Sequence, residues 1–270
     1  DVALAAAHLD LGRALALGER LDDALRELRE LAERVSDDGA VRATRGLARL
    51  AAAELIGQGA RADATQAESL ARAGRADLAA TPLCFLAPGA VALVQSSHGF
   101  LGALALRPES RGTLAGRLFD DPTEGAWSAV TGALSLTRTI DDGYVQVWRA
   151  SVRRAAPVIG WFVEGDGGPA HPNRFRFAVT CGLIVEAAGR RDRLIIEALD
   201  RDGNLRGSLG GDPVAGRWEH PTRALRFTRA LTGGGRQHWT GTLTGELTFA
   251  GTHVDEAGRA APVAWTMHPE

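Results

Sequence analysis

Two histidines, His238 and His253, could begin a metal or haem site if a hairpin set them face to face. That requires Gly245-Glu246 to be a two-residue turn pairing Thr244 with Leu247; a turn one residue longer sends the imidazoles to opposite faces of the sheet. Glu164 with Asp166, and Asp255 with Glu256, are acid pairs of the type that hydrolyse glycosidic bonds. Each pair runs into glycines, Gly167-Gly168 and Gly258, so long turns account for them equally well. Ser96-Ser97-His98 lacks the G-x-S-x-G elbow of an activated serine, and Gly210-Gly211 and Gly233-Gly234-Gly235 lack the strand–loop–helix setting of a phosphate loop. These patterns nominate no catalytic residue, no metal ligand set and no cofactor site.

The elements that would have to position any such group are repeated. Trp127 to Val152 recurs as Trp218 to Leu243, a constant 91 residues later (127 to 218, 148 to 239). Trp127, Thr131, Leu134, Arg138, Gly143, Gln146 and Trp148 meet Trp218, Thr222, Leu225, Arg229, Gly234, Gln237 and Trp239 without a gap. So long an ungapped match is an internal duplication. From about Gly99, short apolar-alternating segments bounded by Gly, Pro, Asp and Asn read as antiparallel β structure. The second copy predicts strands at Leu194–Leu199, Leu205–Leu209, Arg217–Thr228, Arg236–Leu243, Leu247–Val254 and Val263–His268. The first copy ends at Arg174–Val179, and Leu183–Ala187 adds a strand between the copies. Roughly ten to twelve strands leave many edges to close, which favours one barrel or sandwich built from two pseudo-symmetric halves.

Strand parity places Leu134, Leu136 and Arg138 on one face, as it does Leu225, Phe227 and Arg229. Gln146 shares a face with Trp148, and Gln237 with Trp239. Each half therefore carries an Arg and a Gln at the turn end of an apolar row, where they could tie down a closing loop or stack on an indole. Gly125-Ala126-Trp127 and Gly216-Arg217-Trp218 are both G-x-W. With the downstream Arg, this is similar to the calycin signature of lipocalins. The resemblance implies a ligand-holding barrel in which a Trp packs under an Arg to close the base. Trp127, Arg138, Trp218 and Arg229 would then be structural, as would Gln146, Trp148, Gln237 and Trp239.

The first ninety residues are rich in Ala, Leu, Arg and Glu, with helical periodicity, and predict helices at Val2–Leu17, Leu21–Val35, Val41–Ile56 and Ala62–Ala80. Leu11, Gly12, Ala14 and Leu15 followed by Asp22-Asp23-Ala24-Leu25 and Leu28 resemble a tetratricopeptide repeat. Gly12 and Ala24 would let the two helices approach, and such a pair implies docking of a protein partner. The inter-helix Gly stands one position early and the closing Pro is absent. A composition break between Ala80 and Gly99 marks a boundary, giving a helical region over 1–90 and a β region over 91–270, with repeats at about 99–180 and 190–270.

All 31 basic residues are Arg, which together with abundant Ala and Gly points to a GC-rich bacterial genome. A formal net charge of −2 gives no support for nucleic-acid or acidic-membrane binding, and no run is long and apolar enough to span a bilayer. Cys84 and Cys181 stand far apart in apolar surroundings and read as buried free thiols, which places the chain in a reducing cytoplasm. The chain begins at Asp1 without Met, as a piece of a longer protein would. The expected fold is α+β: N-terminal helical hairpins followed by an internally duplicated antiparallel β barrel or sandwich. The expected function is non-enzymatic binding, with a protein partner on the helices and a small apolar ligand, or a presented surface, on the β part. The competing readings are an enzyme of cyclase or isomerase type that orients an apolar substrate in a barrel cavity, and a structural assembly component.

Overall fold

A computed structural model describes residues 2–34, 36, 38–59, 63–79, 81, 83–109, 112–152, 158–165, 174–256 and 261–270. Helices α1 (Val2–Leu17), α2 (Leu21–Ala32), α3 (Gly39–Gln58) and α4 (Ala64–Leu78) come first. The Asp38 carboxylate accepts the free N–H groups of Ala40 and Val41 at the start of α3, and Asp63 accepts that of Gln66 on α4. Within each helical hairpin the close approach depends on glycine. A Cβ on Gly12 would lie 2.8 Å from the Leu28 side chain, and one on Gly74 would lie 2.8 Å from the Gly46 carbonyl oxygen. Asp77, buried on α4, ties the layer together by accepting from Arg45 (2.6 Å) and Arg49 (2.7 Å) of α3. Those arginines also donate to the carbonyls of Arg34 and Ala32 at the end of α2.

A short 3-10 turn, Cys84–Leu86, leads into sixteen strands that form two closed barrels, not one. The first contains β1 (Val91–Ser96), β2 (Leu101–Pro108), β3 (Thr113–Leu118), β4 (Asp121–Trp127), β5 (Ala133–Thr139), β6 (Val145–Ser151), β7 (Val158–Glu164) and β8 (Phe175–Thr180). The second contains β9 (Gly182–Ala187), β10 (Arg190–Leu199), β11 (Asn204–Leu209), β12 (Asp212–Glu219), β13 (Ala224–Ala230), β14 (Arg236–Gly245), β15 (Thr248–Asp255) and β16 (Val263–Pro269). Both are up-and-down meanders, closed by β1 pairing with β8 and by β16 pairing with β9. The duplicated unit therefore closes on itself instead of completing its copy. The expected strand Arg217–Thr228 is two strands joined by a turn at His220–Arg223. The expected boundary at Ala80–Gly99 contains β1, so a fragment starting at Gly99 would lack a barrel strand.

Eight strands enclose a space that side chains fill. In the first barrel Trp148 stacks on Phe162 at 4.2 Å and leans on Phe177 at 4.8 Å. In the second, Trp239 stacks on His253 at 4.1 Å and lies 5.8 Å from Trp265. The residues 91 positions on from Trp148 and Phe162 are Trp239 and His253, so the same stack is built twice with one ring exchanged.

The helices share one apolar cluster with the first barrel, in which Leu9, Leu28, Leu47 and Leu55 join Leu114, Leu134 and Trp148. Arg13, only 6% exposed, donates to the carbonyls of Ala129 (2.9 Å) and Val152 (3.3 Å), and Glu54 accepts from the N–H of Ala129 at 2.7 Å. The two cysteines are not free thiols. Cys84 and Cys181 form a disulfide across a separation of 97 residues that brackets every strand of the first barrel. Both sit beside the seam where β1 meets β8, and their pairing removes the premise on which a reducing cytoplasm was expected. No helix among the described residues is long and apolar enough to cross a membrane.

The second barrel abuts the first through its G-x-W end. Leu93, Leu101 and Ala178 on the outer wall of the first barrel join the apolar core of the second, and Gln95 accepts the backbone N–H of Leu247. The Asp200–Gly203 turn crosses to the far end of the first barrel, where Arg201 donates to Asp121 and Asp141 and its backbone N–H to Asp120.

Candidate functional site

The sequence's candidate chemical groups are dispersed by the fold. Trp239, not His238, pairs with His253, so His238 points to the outer face and bonds Thr228 at 3.2 Å. The extra residue is taken up by an irregularity between Leu243 and Gly245, with Leu247 in the left-handed region (φ 49°). Asp166 lies outside the described residues; Glu164 ends β7, while Asp255 accepts from Gln237 and Glu256 faces Arg236. A group of His8, Glu27 and Glu30 has metal-like spacing, but His8 uses Nδ1 on Glu27 (2.9 Å) and Nε2 faces the Arg34 guanidinium (3.0 Å), which repels a cation.

The closure residues fall at opposite ends of their barrels. Thr123 pairs with Arg138 and Trp127 with Leu134, so the register separates the G-x-W indole from the downstream Arg by four positions. Arg138 instead donates to Asp121 and to Gln146 (3.0 Å) and lies 4.7 Å over the Phe119 ring. Gln146 also accepts the Trp148 indole N–H at 3.3 Å. In the second barrel Arg229 donates to Asp212 (2.9 Å) and Asp192 (3.3 Å), and Gln237 turns to Asp255. The Trp239 N–H is left buried without an acceptor.

At the G-x-W end of the first barrel, the packing of α3 and α4 leaves a cleft of about 700 Å³. Leu50, Ala53 and Gly57 recur at helical spacing along one face of α3, and Ala67 and Ala71 line it from α4. These side chains are too small to reach the barrel rim, where Leu114, Trp127 and Ala129 form the floor. Glu68, Arg75 and Glu109 complete the lining. Glu54, the carboxylate nearest the floor, is fully engaged: Oε1 accepts from the Ser128 hydroxyl (2.8 Å) and Oε2 from the N–H groups of Ala129 and Val130. It fastens a barrel turn to α3 and has no lone pair directed at a reacting group. The Trp127 indole N–H is buried with no acceptor. The cleft can thus bury an apolar body against Leu, Ala and indole surface, and it offers no paired acid and base.

Sequence reasoning missed this cleft, since it arises between two elements whose packing no local pattern specifies. The residue that marked it was Glu54, a lone acid inside the run Ala51-Ala52-Ala53-Glu54-Leu55-Ile56.

No family model matches the chain, and no curated protein does. Among solved structures it is similar to a double mutant of the vaccine antigen transferrin binding protein B from Haemophilus parasuis Hp5, at 9% identity and a TM-score of 0.21. The match covers 66% of this chain and 44% of that one, so the chain spans less than half of that protein's length. A superposition at that level carries no argument about function.

Two histidines set a pH dependence. Burial, outweighing Asp255 and helped by Arg229, holds the His253 imidazole below its usual range, and burial beside Arg223 does the same for His220. The folded state then binds fewer protons than the unfolded chain. Their contribution is complete above the unfolded value of about 6.5 and is lost as the pH falls through and below it. Phe162 holds the equivalent place in the first barrel and does not titrate. Urea unfolding at pH 7.5 and 5.5 should show acid destabilisation that shrinks in His253→Phe; an unchanged pH difference would contradict the assignment.

Proposed function

We propose that this chain is a non-enzymatic binding protein whose helix–barrel cleft takes a small apolar ligand. The observation that carries this reading is a cleft of about 700 Å³, floored by Leu114 and Trp127 and walled by small aliphatic side chains. That volume lies within the range of small-molecule sites, roughly 300–1,000 Å³. The ligand sits between the helices and the barrel because both barrel interiors are occupied by their own aromatic side chains. Titration with dansyl-undecanoic acid tests this. Saturable fluorescence enhancement is expected, and Ala71→Trp, which fills the cleft from α4, should weaken binding by about ten-fold or more with the fold unchanged. Equal binding by that variant would place the ligand elsewhere.

The protein partner belongs on the exposed face of α1, where Leu4, Leu11 and Leu17 leave apolar surface to solvent. In this reading Trp127 and Trp218 stand at the ligand-facing mouths, while Arg138, Gln146, Trp148, Arg229, Gln237 and Trp239 hold the opposite barrel ends. The two latches are unequal. Asp121 is almost fully buried and depends on Arg138 and Arg201, whereas Asp212 also accepts from the N–H and hydroxyl of Thr232. Arg138→Met should therefore cost about 2–3 kcal/mol and Arg229→Met about 1–2 kcal/mol. Chemical denaturation checks both, and the reverse order would contradict the latch geometry.

A further inference from the structure

We propose that the junction between the barrels is a second binding site, built on the same plan as the cleft and suited to a small uncharged planar ring. The 91-residue offset that relates the barrels also relates two cavities. Gly112, Trp127 and Ala129 line the helix–barrel cleft; Gly203, Trp218 and His220 occupy the equivalent places in a cavity of about 420 Å³ at the junction. Trp127 and Trp218 take the same register position, opposite Leu134 and Leu225. Each has its indole N–H buried without an acceptor. The duplication has therefore copied a barrel mouth together with the tryptophan that lines it.

What lies over each mouth differs, and so does the chemistry. Aliphatic helix faces cover the first. The second is covered by the far end of the first barrel, which contributes Phe100, Phe119 and Arg138. Phe100 is 51% exposed and stacks on His220 at 3.9 Å with 26° between the rings. Where the first mouth has Ala129, the second has His220, whose Nε2 is buried and unpartnered. Flat walls of this kind select a planar ring. Arg138, Arg201 and Arg217 are balanced in the lining by Asp200, Asp202 and Glu219, so the cavity carries no net charge and favours an uncharged ligand. The Trp218 N–H gives such a ring a reason to carry a hydrogen-bond acceptor.

Ligand-observed saturation-transfer NMR on the full chain, with nicotinamide as the probe, tests the proposal. Saturable transfer is expected. Phe100→Ala, which alters only an exposed ring and should melt as the wild type does, is expected to weaken binding about three-fold or more, as is Trp218→Phe. Trp127→Phe and Ala71→Trp should leave nicotinamide binding unchanged. No saturable transfer, an unaltered affinity in Phe100→Ala, or an equal loss in Trp127→Phe would each overturn the proposal. Dansyl-undecanoic acid binding is read separately, so failure at the junction leaves the cleft assignment standing, and failure at the cleft leaves the junction standing.

Discussion

Trp148→Ala and Trp239→Ala are each expected to lower stability by about 3–5 kcal/mol in urea unfolding, because each empties the aromatic centre of a barrel. Trp148 is 2% exposed and Trp239 3%. Each is stacked on one ring and tilted against another, so neighbours cannot collapse into the space without losing their own contacts. Replacement by Phe separates the barrels. Trp148 gives its N–H to Gln146, so Trp148→Phe loses a bond as well as volume. The Trp239 N–H has no acceptor, so Trp239→Phe should cost less than Trp148→Phe. Losses below about 1 kcal/mol for both alanine variants would show that these strands do not face inward.

Removing the disulfide is expected to have an effect of similar size. Cys84 and Cys181 are 97 residues apart, and for a loop of that length the loss is about 2–5 kcal/mol. The restraint acts where it matters for closure, since the loop contains all of β1 to β8 and the bond lies beside the β1–β8 seam. Cys84→Ser with Cys181→Ser, or treatment with a reductant, should lower the melting temperature, chiefly through the first barrel and the helices packed on it. Native protein should not react with a thiol reagent until reduced. Ready labelling without reductant, together with an unchanged melting temperature, would contradict the cross-link.

Periodicity made the helices and most of the second-copy strands legible, and the 91-residue offset made the duplication unmistakable. Strand number was harder because several turns carry no glycine. Phe119 and Asp120 join β3 to β4 with φ of 54° and 66°, and Arg223 closes the β12–β13 turn at φ 52°. Side chains in the left-handed region leave no mark on a composition pattern, so a hairpin reads as one long strand. That undercount is what made two closed barrels look like halves of one. The His238–His253 register failed for the same reason, at Leu247. The cysteine pairing had no sequence signal, because a separation of 97 residues says nothing about proximity until β1 and β8 are known to be neighbours. The cleft and the junction cavity exist only between packed units, beyond the reach of local patterning; what the sequence did mark was the repeated G-x-W that lines both.

Native mass spectrometry of the freshly purified protein tests the central claim most directly, because it weighs whatever the cleft has retained. The wild type is expected to carry an adduct of small-molecule mass, and Ala71→Trp, with the cleft filled by an indole, is expected to be bare. An adduct that persists in Ala71→Trp, or a bare wild type that also takes up no dansyl-undecanoic acid, would contradict a ligand site between the helices and the first barrel.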